Sequence, residues 1–347
     1  MKARKPKRQR HVYPWASWST RKLLDTRISD LGLRVEGSEL EARIDQLYGE
    51  LRERGFTFQP HFWLSDDWFC PDGVPGIALP FFLAHSRLKR LEESHLLEVE
   101  GGTPEWCMKL LRHETAHAVL NAYKVHRKRS WQHHFGKSSL KYPETYLPRP
   151  YSKRFVIHLE NWYAQSHPHE DWAETFAVWL TPHYDWRNRY KDWPALKKLE
   201  YVDRLMQDIK VQHPPIRTRK LEYPLSKIRI TLRQYYLEKQ ARYGTNSPAF
   251  YDRDLHRLFS NSQEHKKREK ASHYIRRVRM EVIHIVSRWT GEYNYRINEV
   301  LKEMTKRCDQ LNLHVATDDE AMKLQTVTCV TALVMRRLHS GGFHVSL

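Results

Sequence analysis

The chain has 347 residues, 40% of them hydrophobic and 12% aromatic, which is enough for a real core in one large domain or two. Its four cysteines, Cys70, Cys107, Cys308 and Cys329, are scattered with no CxxC, and no apolar run is long enough for a signal segment or a bilayer span, so composition argues against a disulfide scaffold and against a membrane protein. A reduced, cytoplasmic protein is expected, and the formal net charge of +18 makes nucleic acid or an acidic protein a candidate partner.

Residues 1–37 read as a basic and aromatic N-terminal segment, partly disordered. The basic run at 2–10 has nothing to bury, and Tyr13, Trp15 and Trp18 can pack onto a body that follows. Ser38 and Glu41 form a capping box that opens a helix with Leu40, Ile44, Leu47, Tyr48 and Leu51 at helical spacing, and Gly55 closes it. Stretches 56–64 and 76–83 read as strands separated by Pro-Asp-Gly and Val-Pro-Gly turns.

The next segment carries the chemistry. Thr103 can cap a helix, Pro104 suits its first turn, and no glycine or proline interrupts it from Glu105 to Tyr123. Inside it lies His113-Glu114-Thr115-Ala116-His117. Two histidines four apart project from one helix face and can reach one ion, while Glu114 is rotated by about 100° and can flank a water there. With 21 histidines in the chain the five residues alone are weak, and a solvated surface helix is the competing reading. The flanking Leu110, Leu111, Ala118 and Val119 favour burial instead, and a buried imidazole pair needs partners.

A third ligand is expected downstream. Pro168 suits a helix start and Pro182 a stop; between them Trp172, Phe176, Trp179 and Leu180 make one face, and Glu170 and Glu174 lie four apart on the other with Ala173 and Ala177. Alanines beside two acids would permit close approach to another helix. Asp171, His167, His169 and the pair His133-His134 are competing ligand sources by position.

An HExxH helix followed by a helix with two acids one turn apart resembles the gluzincin class of zinc metallopeptidases. Glu170-Asp171-Trp172-Ala173-Glu174 is similar to the motif of lethal-factor-like enzymes, with anthrax lethal factor the closer pattern, and Glu-Asp-Trp-Ala-Glu-Thr-Phe-Ala resembles the bacterial putative zinc-binding metallopeptidase family. The resemblance covers residues 38–190 at most. It implies an α+β fold: a zincin-like metallopeptidase domain with a small sheet, the HExxH helix and the glutamate helix, followed by a mostly helical C-terminal domain at 191–347. It implies Zn2+ held by His113, His117 and Glu170, Glu114 as general base, and Glu174 orienting His113. It also implies that Tyr163, seven residues before Glu170, faces the reacting carbonyl. A histidine from 133–134 as third ligand would instead match a SprT-like pattern. An edge strand at Ile77, Ala78 and Leu79 would hold an extended peptide substrate by its backbone.

Beyond 191 the apolar spacing predicts helices at 194–211, 225–243, 248–259, 264–290, 293–313 and 318–339, with Val278, Val282, Ile285 and Trp289 as core positions. Lys266, Lys267, Arg268, Lys270, Arg276, Arg277 and Arg279 cluster around Tyr274, so a basic helix at 264–280 is the candidate surface for nucleic acid or an acidic partner. The expected function is that of a zinc metalloendopeptidase. The alternative is a basic nucleic-acid-binding protein whose zinc site is structural or inactive.

Overall fold

The computed structural model describes residues 12–143, 146, 149, 152–160, 162–243 and 252–339. The fold is α+β but mostly helical, with thirteen α-helices and two small sheets among the described residues. The chain forms two compact units, divided after Glu92 and again after Tyr235, with Glu93–Glu98 grouped with the later residues.

The first unit begins with α1 (Thr20–Leu24) and α2 (Glu39–Glu53). Residues 12–37, expected to be a separate segment, belong to its core: Trp15, Leu23, Ile28 and Leu31 are buried, and the Trp15 indole donates to Leu31 O at 2.8 Å. Backbone bonds from Ile28 N–H to Ile230 O and from Ser29 N–H to Ile228 O, both 3.0 Å, tie this segment to the end of the unit. The basic run at 2–10 lies outside the described residues.

Two strands follow, β1 (His61–Ser65) and β2 (Gly76–Pro80), paired parallel from His61 opposite Gly76 to Ser65 opposite Pro80. They are shorter than their sequence stretches suggest. Pro60 and Pro80 bracket the ladder because neither can donate to it, and Phe81–Ala84 winds into a 3-10 turn. Next come α3 (Ser86–Leu96) and α4 (Pro104–Tyr123). Thr103 Oγ1 accepts the Trp106 N–H and caps α4, and Lys124, at φ 53°, ends it in a left-handed turn. Fifteen of the twenty α4 residues are buried, and from Leu110 to Tyr123 all but His117 are, so this helix is a central pillar rather than an amphipathic cover.

The remaining helices of this unit are α5 (Arg129–Phe135), α6 (Pro168–Leu180), α7 (Trp186–Arg189), α8 (Ala195–Ile209) and the start of α9 (Leu232–Tyr243). Helix α6 lies along α4. Ala116, Ala173 and Ala177 are fully buried, and the Trp172 indole donates to Ala116 O at 2.9 Å. On the other side α2 braces α4 through a bidentate Arg112–Glu50 pair, both bonds 2.8 Å. Helix α8 packs on α6 through Lys198–Asp171 at 2.5 Å and the Trp179 indole to Asp203 at 2.8 Å. The segment after 190 therefore continues the first unit, and the expected boundary there shifts to Tyr235 because α8 covers the outer face of α6.

The second unit holds α10 (Asp252–Leu258), β3 (Phe259–Ser260), α11 (Ala271–Thr290), α12 (Asn294–Gln310), β4 (His314–Val315) and α13 (Asp319–His339), with β3 antiparallel to β4. Its core is drawn from α10 to α13 and includes Val278, Val282, Ile283 and Val286. Trp289, expected in the core, is 77% exposed: it shares the face of Val278, Val282 and Val286 but lies beyond Val286, the last α11 residue of the core. Residues 264–270 do not continue α11 backwards: a 3-10 turn at Gln263–His265 and a further turn at 266–268 precede an extended Lys270 that bridges His314. No helix among the described residues is long and apolar enough to cross a membrane.

Candidate metal centre

Where α4 meets the first turn of α6, three ligand atoms converge. His113 Nε2 lies 3.0 Å from Glu170 Oε2, His117 Nε2 lies 3.2 Å from His113 Nε2, and His117 Nε2 lies 3.4 Å from Glu170 Oε2. These spacings suit the edges of a coordination polyhedron, because tetrahedral bonds of about 2.0–2.1 Å place neighbouring ligands about 3.3 Å apart. Among the described residues this is the one His, Cys, Asp and Glu group arranged to hold a metal ion. Two imidazole nitrogens and one carboxylate oxygen leave a fourth side, which opens on a cavity of about 330 Å³.

Further bonds hold the ligands in place. A carboxylate can only accept, so His113 Nδ1–H donates to Glu174 Oε1 at 2.8 Å, which makes Nε2 the nitrogen that a metal ion would take. Glu174 is itself fixed, because the Leu159 N–H donates to its Oε2 at 2.8 Å. Tyr142 OH donates to Glu170 Oε1 at 2.8 Å and leaves Oε2 as the ligand oxygen. Burial disfavours the charged His113, yet the hydrogen bonds and charges of Glu170 and Glu174 outweigh it and lift its pKa well above the usual imidazole value. Burial likewise works against the Glu170 carboxylate, but the charge of His117 and the contacts of His113 hold its pKa well below the usual range.

Glu114 is 8% exposed, lines the cavity, and has no hydrogen-bond partner among the described residues. Burial raises its pKa, with His117 and His113 offsetting part of the rise, which suits a base that must be able to carry a proton. Tyr163 lines the same cavity, its ring 5.6 Å from the His113 ring. Burial and the neighbouring acids, Glu170 foremost, push its pKa well up, so the phenol remains a donor. Tyr142 was not legible in the sequence. It lies 28 residues before its partner Glu170, in a stretch without helical or strand spacing, and stacks on His167 at 3.7 Å.

The competing ligands are engaged elsewhere. Asp171 pairs with Lys198, His167 Nε2 donates to Leu140 O at 3.0 Å, and His169 Nε2 meets Ser138 Oγ at 2.8 Å. His134 donates to Ser130 O at 2.7 Å, and both His133 and His134 line a different cavity. Cys70 does reach the metal-side cavity, but burial and then Glu114 push its thiol well above its ordinary value, and it is bonded to Asn121 and Val74 at 3.4 Å.

The expected substrate strand is corrected. Ile77, Ala78 and Leu79 are fully buried; β2 pairs with β1, and the Ala78 N–H donates to Phe69 O at 2.8 Å. The returning stretch around Phe69, Cys70 and Asp72 covers β2 and forms the cavity wall in its place.

The basic cluster of the second unit is also altered. Tyr274 is fully buried, Arg276 pairs with Asp309 at 3.0 Å, and Arg277 pairs with Glu269 at 2.8 Å and Asp319 at 2.5 Å. Arg268 donates to Ala316 O at 2.7 Å. Part of that charge is spent within the unit, which weakens the case for a nucleic-acid surface there. Neither protein-family models, nor curated proteins, nor solved structures give a match to this chain.

Proposed function

We propose that the chain is a zinc metalloendopeptidase of the gluzincin type, with a zincin-like catalytic domain in its first unit. The observation that carries this reading is the convergence of His113 Nε2, His117 Nε2 and Glu170 Oε2 within 3.4 Å, beside a Glu114 that lines the cavity with no hydrogen-bond partner among the described residues. Two neutral nitrogens and one carboxylate are a zinc donor set that leaves a position open for chemistry. When bound, zinc supplies a water of near-neutral acidity and a Lewis acid for the scissile carbonyl.

The residues divide the remaining work. Glu114 takes a proton from the attacking water and passes it to the leaving nitrogen. Its burial keeps the proton on offer during that transfer. Tyr163, a phenol held protonated, donates to the oxyanion that develops on the carbonyl. Glu174 and Tyr142 keep His113 and Glu170 aimed. The wall at Phe69, Cys70 and Asp72 is the surface a peptide would meet.

The test is metal analysis together with peptide cleavage. Purified protein is expected to carry one zinc per chain. Glu114→Gln is expected to keep it and to lose about 10²–10⁴-fold in cleavage rate, the usual contribution of a general base, whereas His117→Ala and Glu170→Ala lose the metal. Undiminished cleavage by Glu114→Gln would sink the mechanism, and protein purified without stoichiometric zinc would sink the site.

A further inference from the structure

Helix α4 carries a third polar residue on its ligand face. Asn121 follows His117 by four residues, as His117 follows His113, so each lies about 40° further round the helix than the one before. Asn121 is 7% exposed and lines the same cavity as His113, Glu114, His117 and Glu170. Its carboxamide is turned to the stretch at 70–74, whose Cys70 and Asp72 form a wall of that cavity.

The carboxamide is fully used. Nδ2 donates to Pro71 O at 2.9 Å and to Val74 O at 3.1 Å, and Oδ1 accepts the Gly73 N–H at 3.1 Å. An amide nitrogen has two hydrogens, which these carbonyls take, and Cys70 Sγ is a further neighbour at 3.4 Å. The turn closes on itself through Val74 N–H to Pro71 O at 3.0 Å, and Gly73, at φ 71°, supplies the left-handed conformation the chain needs there. At its other end the stretch is tied to β2 by the Ala78 N–H to Phe69 O at 2.8 Å. The wall is therefore anchored twice, once on the sheet and once on the helix that bears two of the metal ligands. Its tip, Asp72 and Gly73, is exposed, so burial does little to place it and the Asn121 bonds supply what burial does not.

We propose that Asn121 is a positioning residue for substrate: it fixes the wall at Cys70 and Asp72 relative to the metal cluster, and a peptide entering the cavity meets that wall already in place. The inference rests on the peptidase reading above. Asn121 serves binding rather than the chemical step. Its side-chain bonds run to the wall and, among the described residues, to none of His113, Glu114, His117 and Glu170. A wall held in advance spares the substrate the cost of ordering it.

The test is steady-state cleavage of a quenched fluorogenic peptide, selected from a mixed-sequence library because the parent protein cleaves it, with zinc content measured on the same samples. Asn121→Ala is expected to keep one zinc per chain and a kcat within about threefold of the parent, while KM rises about tenfold or more, the worth of one or two hydrogen bonds. Gly73→Ala reaches the same turn from the other side. It leaves the Asn121 side chain intact, its added Cβ meets nothing within 4 Å, and it strains only the left-handed backbone. It is expected to raise KM with kcat held, and it carries the test alone if Asn121→Ala does not fold. A parental KM in both variants overturns the inference, as does a fall in kcat at unchanged KM or a loss of zinc from Asn121→Ala. A parent that cleaves no member of the library sinks the peptidase reading and this inference with it, whereas an active parent with variants of unchanged KM sinks this inference alone.

Discussion

His113 is the residue on which the cluster turns, because both of its nitrogens are assigned. Nε2 faces the other two ligand atoms, and Nδ1–H is held by Glu174, which is 1% exposed and anchored in turn by the Leu159 amide. Glu174→Ala removes the acceptor and strands two donors, the buried His113 Nδ1–H and the half-buried Leu159 N–H. The tautomer and ring angle of His113 are then no longer set. Metal affinity is expected to fall about 10–100-fold, the usual cost of losing a carboxylate behind a ligating imidazole, and competition with a chromogenic chelator reads it directly. An affinity equal to that of the parent would show that Glu174 is only a structural acid. The roles of His113, His117, Glu170 and Glu174 could be read from spacing alone, since i and i+4 on two helices put each pair on one face. Tyr142 could not: its hydroxyl reaches Glu170 through the path of an irregular loop, and no local periodicity encodes that path.

At the scale of elements, α4 is held between two neighbours that use different chemistry. Helix α6 meets it with alanines and a tryptophan bond, whereas α2 meets it with a buried ion pair, Arg112 being 9% and Glu50 5% exposed. Such a pair is costly to break from one side, because the surviving charge stays buried. Glu50→Ala is expected to destabilise the first unit by about 3–5 kcal/mol, and a Glu50→Met/Arg112→Leu double variant by much less. Urea unfolding measures both, and a double variant as unstable as the single one would contradict this account. Arg112 precedes His113, so the pair also fixes the start of the ligand-bearing turn. The ends of α4 and α6 were legible because Thr103, Pro104 and Pro168 are helix punctuation. The strands were overextended because aromatic richness at 56–60 and 81–83 reflects burial rather than pairing. The stretch at 264–270 looked helical through its charge spacing, but it breaks into a 3-10 turn, a further turn at 266–268 and an extended Lys270 that bridges His314.

For the molecule as a whole, the excess of positive charge sits beside histidines that the fold keeps neutral. Burial is the leading cause in His61, His85, His126 and His158, and it lowers each of them from the ordinary imidazole value of 6.5. The sign of the consequence is fixed by proton uptake. Below about 6.5 the unfolded chain protonates these rings and the folded chain resists, so the unfolded state binds more protons and stability falls as the pH falls. Above that value all four are neutral in both states and the contribution is fully present. Acid also strips a metal from imidazole ligands, which acts in the same direction. In chelated protein His113 opposes the trend, because Glu170 and Glu174 overcome its burial and favour its charged form. The metal-loaded protein should therefore lose urea resistance between pH 7.5 and 5.5 (about one unit either side of the free imidazole value), and the chelated protein should lose less. His158 offers the cleanest single probe: its Nε2–H donates to Lys109 O at 3.0 Å, and the amide of a His158→Gln variant can keep that bond without a proton to gain. That variant is expected to flatten the slope of stability against pH. A parent protein whose stability is level or rising as the pH drops through this interval would show that these imidazoles are charged in the fold after all.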